Sequence, residues 1–223
     1  MTRLVLLRPQ PGADHSAARA KDAGFDVISC PLFTVHPLAW LAPDPALFDA
    51  IMLTSANALR HGGSQLGQYI KLPAFAVGAA TAQTAQLAGF VNVHAGGENA
   101  QQLIADMIGA GHRQVLHIAG RDVRPVDAGS LHLTRVSVYE SGEASSAQEL
   151  NAHLQRGDVL LVHSARAAQR LASLVLPEAR SALNLVAISD IALAAAGPGW
   201  NRARAAFTPD DGAMLAIAEQ ICQ

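Results

Sequence analysis

Apolar runs of strand length alternate along this chain with alanine-rich stretches of helical periodicity. Leu4-Val5-Leu6-Leu7 reads as a strand, residues 17–23 as a helix stopped at Gly24, and Phe25-Asp26-Val27-Ile28 as the next strand. Residues 81–88 read as a helix ended by Gly89, with Phe90-Val91-Asn92-Val93 as the following strand. Residues 100–108 and 213–221 repeat apolar side chains on one helix face: Leu103, Ile104, Met107 and Ile108 in the first, Met214, Leu215, Ile217 and Ala218 in the second. This alternation predicts an α/β protein whose parallel sheets are covered on both faces. Ligands of such sheets gather beyond the carboxyl ends of the strands. Those ends are expected at residues 8–13, 54–57, 78–81, 95–99, 120–124, 163–166, 189–191 and 208–212, which are rich in Ser, Thr, Asn, Gly and Arg. Several lead into helices, whose first N–H groups lack intrahelical partners and suit carboxylates or phosphates.

The pattern occurs twice. Ile51-Met52-Leu53-Thr54-Ser55-Ala56-Asn57-Ala58 is echoed by Leu160-Leu161-Val162-His163-Ser164-Ala165-Arg166-Ala167. At nearly equal spacing, Ala74-Phe75-Ala76-Val77-Gly78 is echoed by Leu185-Val186-Ala187-Ile188-Ser189, and the segment from Gly97 to Leu103 by that from Asp210 to Leu215. Three matches in one order indicate two copies of one unit. The opening strand has its counterpart at Val115-Leu116-His117-Ile118-Ala119, after the first copy, whereas the second copy has no leading strand nearby. The expected division is therefore discontinuous: residues 1–35 with 142–223 as one domain and 36–141 as the other. Crossings fall near residues 32–37 and 136–141, both extended in pattern and able to pair as a hinge. Two such units enclose a cleft, the usual place for a small ligand.

Half of the residues are apolar and only 4% aromatic, which favours helices packed closely on sheets. A formal net charge of −2 offers nucleic acid no electrostatic footprint. Two cysteines make no disulfide framework and no zinc spacing, and no apolar stretch approaches a membrane span. With no signal-like opening, the expected compartment is the cytoplasm.

No Walker or dinucleotide glycine pattern is present, and the nine histidines form no i,i+4 pair. Ser55 and Ser164 lack the G-x-S-x-G elbow of a nucleophile, so N-capping with incidental ligand contact is the simpler reading. Thr81 is read as a cap or an anion contact. Asp210-Asp211 precedes a helix and is expected to stabilise its N-terminus. Arg8, Arg121, Arg124 and Arg166 fall at or just past strand ends, where a guanidinium binds a carboxylate in bidentate fashion or lies solvated on the surface. Tyr139 lies in the return crossing, facing the cleft as a donor or acceptor, or holding the hinge.

Taken together, Leu6-Leu7-Arg8-Pro9, Leu53-Thr54-Ser55-Ala56-Asn57-Ala58, Val77-Gly78-Ala79-Ala80-Thr81-Ala82, Gly120-Arg121, Val138-Tyr139 and the Ser164 and Ile188-Ser189 segments resemble the uroporphyrinogen-III synthase family over nearly the whole chain. The resemblance implies two flavodoxin-like parallel-sheet α/β domains joined by a two-stranded β linker. It implies a lyase of heme biosynthesis that closes the linear tetrapyrrole hydroxymethylbilane. Water is lost, ring D is inverted through a spiro intermediate, and no metal or organic cofactor takes part. By the same resemblance Tyr139 is the donor assisting hydroxyl departure. Arg8, Ser55, Asn57, Gly78, Thr81, Arg121, Ser164 and Ser189 are contacts to the substrate's carboxylates, and the protein is a monomer without nucleic-acid or membrane partners.

Two departures from the family pattern stand out. Ile188-Ser189-Asp190-Ile191-Ala192 lies where many relatives carry Gly-Pro-x-Thr-Ala, and Pro125 and Gly129 interrupt a segment that is a full helix in relatives. A non-catalytic two-lobed protein binding an anionic small molecule would use the same cleft. A purely structural or partner-binding domain is the third reading, and tight binding of a polycarboxylated tetrapyrrole would argue against it.

Overall fold

A computed structural model describes residues 3–97, 99–123 and 125–222. Their elements run β1 (Arg3–Leu6), α1 (Gly12–Asp22), β2 (Asp26–Ser29), β3 (Phe33–Pro37), β4 (Ala50–Leu53), α2 (Ala56–His61), β5 (Ala74–Val77), α3 (Gly78–Leu87), β6 (Val93–Gly96), α4 (Ala100–Gly109), β7 (Gln114–Gly120) and β8 (His132–Glu143). The chain continues through α5 (Ala147–His153), β9 (Val159–Val162), α6 (Ala165–Leu174), α7 (Pro177–Arg180), β10 (Asn184–Ala187), α8 (Asp190–Ala196), β11 (Arg202–Ala205) and α9 (Asp211–Cys222). Two compact units result: residues 1–34 with 142–223, and residues 35–141.

The first unit holds a five-stranded sheet in the order β11-β10-β9-β1-β2. All of its pairs are parallel, with Val5 of β1 opposite Ile28 of β2 and Leu160 of β9. Period-two alternation sorts the strands onto two cores. Val5, Leu160, Val162 and Leu185 pack with α6 and α8 residues such as Leu171 and Ala192, while Leu4, Leu6, Val159, Leu161 and Val186 pack with Ala20 of α1 and Met214 and Ala218 of α9. Every position of β9 and β10 is buried, as a central parallel strand requires.

The second unit holds a six-stranded sheet in the order β3-β8-β7-β4-β5-β6. The pairs from β8 to β6 are parallel. Ile51, Leu53, Leu116 and Ile118 face a core closed by Ala58, Ala82 and Ala85; Ala50, Met52, Phe75 and Val115 face one closed by Leu103, Ile104 and Met107 of α4. Read from β2 and from β8, the sheets run β2-β1-β9-β10-β11 and β8-β7-β4-β5-β6. Both are the 2-1-3-4-5 order of doubly wound, flavodoxin-like sheets. In the second sheet β4, the counterpart of β9, precedes in the chain β7, the counterpart of β1.

The observed elements correct several boundaries. α1 begins at Gly12 and α3 at Gly78, each earlier than the apolar periodicity indicates, because their N-caps are Pro11 and Val77, not polar capping residues. The expected strand at residues 90–93 is displaced to Val93–Gly96. Phe90 instead turns into the core, its N–H bonded to the Ala85 carbonyl. Between β7 and β8 no helix forms among the described residues. That connection lies on α4 through Gln101 Nε2, which donates to the Asp127 carbonyl at 3.0 Å, and through buried Leu131. No helix of the described residues is long and apolar enough to cross a membrane.

Candidate active site

In each sheet the point where neighbouring connections diverge, beyond the carboxyl ends of the strands, forms the natural crevice. In the second unit it lies beyond β7 and β4. A register shift after Ala119 pairs Ala119 with Ser137 but Gly120 with Tyr139. Val138 is therefore an extra residue in β8, and such a bulge re-aims the side chain that follows. Val138 and Tyr139 consequently pack on the same apolar cluster instead of opposite faces. The ring of Tyr139 lies directly on Gly120: a Cβ there would fall 2.7 Å from the phenol Cζ. The His61 ring also approaches it, at 6.1 Å and tilted by 41°. Burial, then the charges of Arg60 and His36, lower the His61 pKa, so this ring is held neutral. Tyr139 Oη has no hydrogen-bond partner among the described residues.

Next to β4, β5 delivers Gly78. Its φ of 73° lies in the left-handed region, and a Cβ would meet nothing within 4 Å, so glycine is required there by backbone conformation alone. No side chain caps the helix that follows. Among the described residues the first N–H groups of α3 thus have no capping side chain and suit an anion. Thr81 is neither a cap nor a turn residue; it sits a turn inside α3 and is buried. Ser55 caps α2, accepting from the Asn57 N–H at 3.2 Å, and Asn57 Oδ1 in turn accepts from Arg60 at 3.1 Å. Arg121 is paired with Glu140 and remains mostly exposed.

Below this surface His117 on β7 is fully buried, with Nε2 3.0 Å from Thr54 Oγ1 and Nδ1 unpartnered. Burial, assisted by the charge of Arg135, pushes its pKa down to about 4, so it is neutral.

The first unit builds its crevice beyond β1 and β9 from Arg8, Ser16, His163 and Asp211. Asp211 Oδ1 lies 2.9 Å from His163 Nε2 and 3.4 Å from Arg8 Nη1, while Oδ2 accepts from Ser16 Oγ at 2.9 Å. Arg8 Nη1 also donates to Ser16 Oγ at 3.2 Å. Burial opposes ionisation of Asp211, but the hydrogen bonds from Ser16 and His163 and the charges of His163 and Arg8 win and hold its pKa below the usual carboxylate value. Burial and the Arg8 charge lower the His163 pKa, against the pull of Asp211.

Ser164 caps α6 through the Ala167 N–H at 3.1 Å, and Ser189 caps α8 through the Ala192 N–H at 3.3 Å. Of the acid pair, Asp210 is the cap of α9, accepting from the Ala213 N–H at 2.9 Å. Arg166 stacks over Phe33, 4.3 Å from the ring centroid. Arg124 lies outside the described residues. Among the described residues no group of three or more His, Cys, Asp and Glu side chains is placed to hold a metal.

Sequence reasoning therefore found Ser55 and Ser164 as caps but not the cap Ser189, nor Ser16, His61 or Asp211's carboxylate cluster. Asp211 carried only a helix-start signal, and nothing local tied it to Ser16, 195 residues away.

No curated protein sequence matches the chain. Among solved structures, the uroporphyrinogen-III synthetase of Helicobacter pylori is similar with a TM-score of 0.69 at 18% identity, over 99% of this chain and 100% of that one. A mutant uroporphyrinogen III synthase of Thermus thermophilus is similar with a TM-score of 0.54 at 16% identity, over 100% of this chain and 99% of that one. At these identities the likeness is one of fold, and it covers both sheets. The sequence pattern of the HEM4 family, described as uroporphyrinogen-III synthase HemD, matches residues 14–216, and the chain accordingly belongs to the uroporphyrinogen-III synthase family, cyclising lyases of tetrapyrrole biosynthesis.

Proposed function

We propose that the protein closes hydroxymethylbilane to uroporphyrinogen III, with Tyr139 as the proton donor and the strand-end loops of both units as carboxylate receptors. The family match over residues 14–216 carries the reaction. The unpartnered Tyr139 phenol, set on Gly120 by the β8 bulge, supports the choice of donor.

In this reading Tyr139 Oη–H donates to the substrate hydroxyl as it leaves as water, and an azafulvene cation remains. The substituted carbon of ring D attacks that cation to give a spiro centre, which fragments; the unsubstituted carbon of ring D then closes the ring inverted, and the proton it loses on rearomatising balances the one Tyr139 gave to the departing water. The linear substrate closes unaided without inversion, so the protein's task is to hold one folded geometry. Gly78 and the uncapped start of α3 would receive one carboxylate. Arg8 and Arg121 would pair with others; Ser55, Asn57 and Thr81 would contribute in the six-stranded unit, and Ser164 and Ser189 in the five-stranded one. The two compact units act as the two domains of the enzyme, each supplying part of this set. The wider reading is a cytoplasmic monomer working without nucleic acid: its two cysteines suit a reducing compartment and its net charge of −2 gives no basic patch. Light scattering checks the oligomeric state.

The test is isomer analysis. Hydroxymethylbilane generated in situ is added to the protein, and the oxidised product is resolved into type I and type III uroporphyrin. Mostly type III is expected; type I alone, formed at the spontaneous rate with folded protein present, would replace the synthase reading with binding of an anionic ligand.

A further inference from the structure

We infer that Asp211 is a positioning residue for Arg8, presetting the guanidinium to receive a substrate carboxylate at the crevice of the five-stranded sheet. The inference rests on the proposed role of Arg8 and extends it to three residues that do not touch substrate in that proposal.

Arg8 is in an unfavourable place for a cation. It lies across the first turn of α1: a Cβ on Gly12, the first residue of that helix, would fall 2.5 Å from Arg8 Nε and 2.7 Å from Cζ and Nη2. The N-terminus of a helix repels positive charge. Three features hold the group there. Gly12 leaves the space that the guanidinium fills. Ser16 Oγ, on the next turn of α1, accepts from Nη1 at 3.2 Å. Asp211, in the first turn of α9, supplies the counter-charge at 3.4 Å and is itself fixed by Ser16 and by His163 Nε2, each at 2.9 Å.

The burial gradient gives the arrangement a direction. The His163 and Asp211 side chains are 8% and 13% exposed, and that of Arg8 is 32% exposed. The carboxylate is therefore an inner support, held by more groups than Arg8 alone, and Arg8 is the member that solvent and ligand reach. Its contact with Asp211 is the longest of the set and engages one nitrogen only, so a guanidinium with five donors keeps capacity for a second carboxylate. Restricting its rotamers beforehand lowers the entropy lost on binding.

The experiment measures KM and kcat for uroporphyrinogen III formation by the full-length chain in five forms: wild type, Arg8→Ala, Asp211→Asn, Arg8→Ala with Asp211→Asn, and Asp211→Glu. Loss of one charge-assisted contact predicts that Arg8→Ala raises KM about tenfold. Asp211→Asn should raise KM severalfold, with kcat within about twofold of wild type, and Asp211→Glu should recover most of that loss. On the Arg8→Ala background Asp211→Asn should add nothing, because its effect runs through Arg8.

Electrostatics alone makes the opposite prediction. Removing a negative charge from an anion site should lower KM, and that result, or effects that add across the two positions, overturns the inference. An unchanged KM in Arg8→Ala refutes carboxylate binding by Arg8 itself and so separates the two failures. Should Asp211→Asn melt below the assay temperature, Ser16→Ala decides on the same terms. A KM rise that disappears on the Arg8→Ala background supports the inference, and an additive or absent effect overturns it.

Discussion

The two sheets share one strand order and present opposite kinds of surface at their crevices. In the five-stranded unit Arg8, Ser16 and His163 converge on a single carboxylate, Asp211, leaving His163 Nδ1 buried without a partner among the described residues, and the helices after β9 and β10 are capped by Ser164 and Ser189. In the six-stranded unit the corresponding place carries, beside paired groups, some without a partner among the described residues. Tyr139 presents a phenol without a partner among the described residues, and α3 starts at a left-handed glycine with no side-chain cap. One scaffold thus carries a carboxylate ringed by three polar partners in one unit and, among the described residues, an unpartnered phenol in the other. A satisfied cluster is rigid and suits binding; an unsatisfied donor holds its proton for a group that arrives with substrate.

The sharpest way to break this contrast is Tyr139→Phe. Removing only the phenol oxygen should cost about a hundredfold or more in kcat, the usual weight of a general acid, with the melting temperature retained because Oη makes no bond within the described residues. Steady-state rates of type III formation and a thermal melt check both halves. A rate near wild type would take Tyr139 out of the chemistry and leave the second unit as a second receptor.

Acid distinguishes the units next. His117 is neutral when folded, with a pKa of about 4 against about 6.5 unfolded, so the unfolded chain binds the extra proton between those values. Its contribution is intact above pH 6.5 and is lost as pH falls towards 4, by about 3 kcal/mol over the full interval. In the first unit His163 is also lowered, but Asp211 favours its imidazolium and opposes the shift. Denaturant unfolding at pH 7 and pH 5 should therefore show a loss that His117→Gln flattens and His163→Gln flattens less. Equal effects would mean that Asp211 does not distinguish the two histidines.

Gly78→Ala probes the open helix start. The added methyl meets no atom, so its cost is the left-handed φ of 73°, about 1–2 kcal/mol of stability. If the α3 N–H groups receive a carboxylate, tilting that turn should also raise KM about threefold to tenfold. A stability loss with unchanged KM would reassign Gly78 to the backbone alone.

What could be read from the sequence follows from how far each interaction reaches. Central strands such as β4 and β9 were legible because burial on both faces demands an unbroken apolar run. Ser55 and Ser164 were legible as caps because a cap binds an N–H two or three residues on. The starts of α1 and α3 were not, since Pro11 and Val77 carry no capping oxygen. Asp211 was legible only as a helix-start acid: its partners lie 48, 195 and 203 residues away and meet through sheet topology alone. The Tyr139 orientation depends on a bulge, which changes the register without leaving a residue-type signature.

The smallest effects test whether capping is all the serines do. Ser55→Ala, Ser164→Ala and Ser189→Ala each remove an acceptor from one helix N–H, at 3.2, 3.1 and 3.3 Å respectively. Each should lose about 1 kcal/mol of stability. In the five-stranded unit, Ser164 and Ser189 are expected to change KM by less than about twofold, because Arg8 is the group proposed to receive the carboxylate there. Ser55 sits at the start of a six-residue helix that follows β4, the strand beside β7, so its hydroxyl is the one of the three placed next to the unsatisfied surface. A KM rise confined to Ser55→Ala, with the three stability losses equal, would show a hydroxyl that caps and binds at once. Equal KM values in all three would reduce the contrast between the units to Tyr139 and the start of α3.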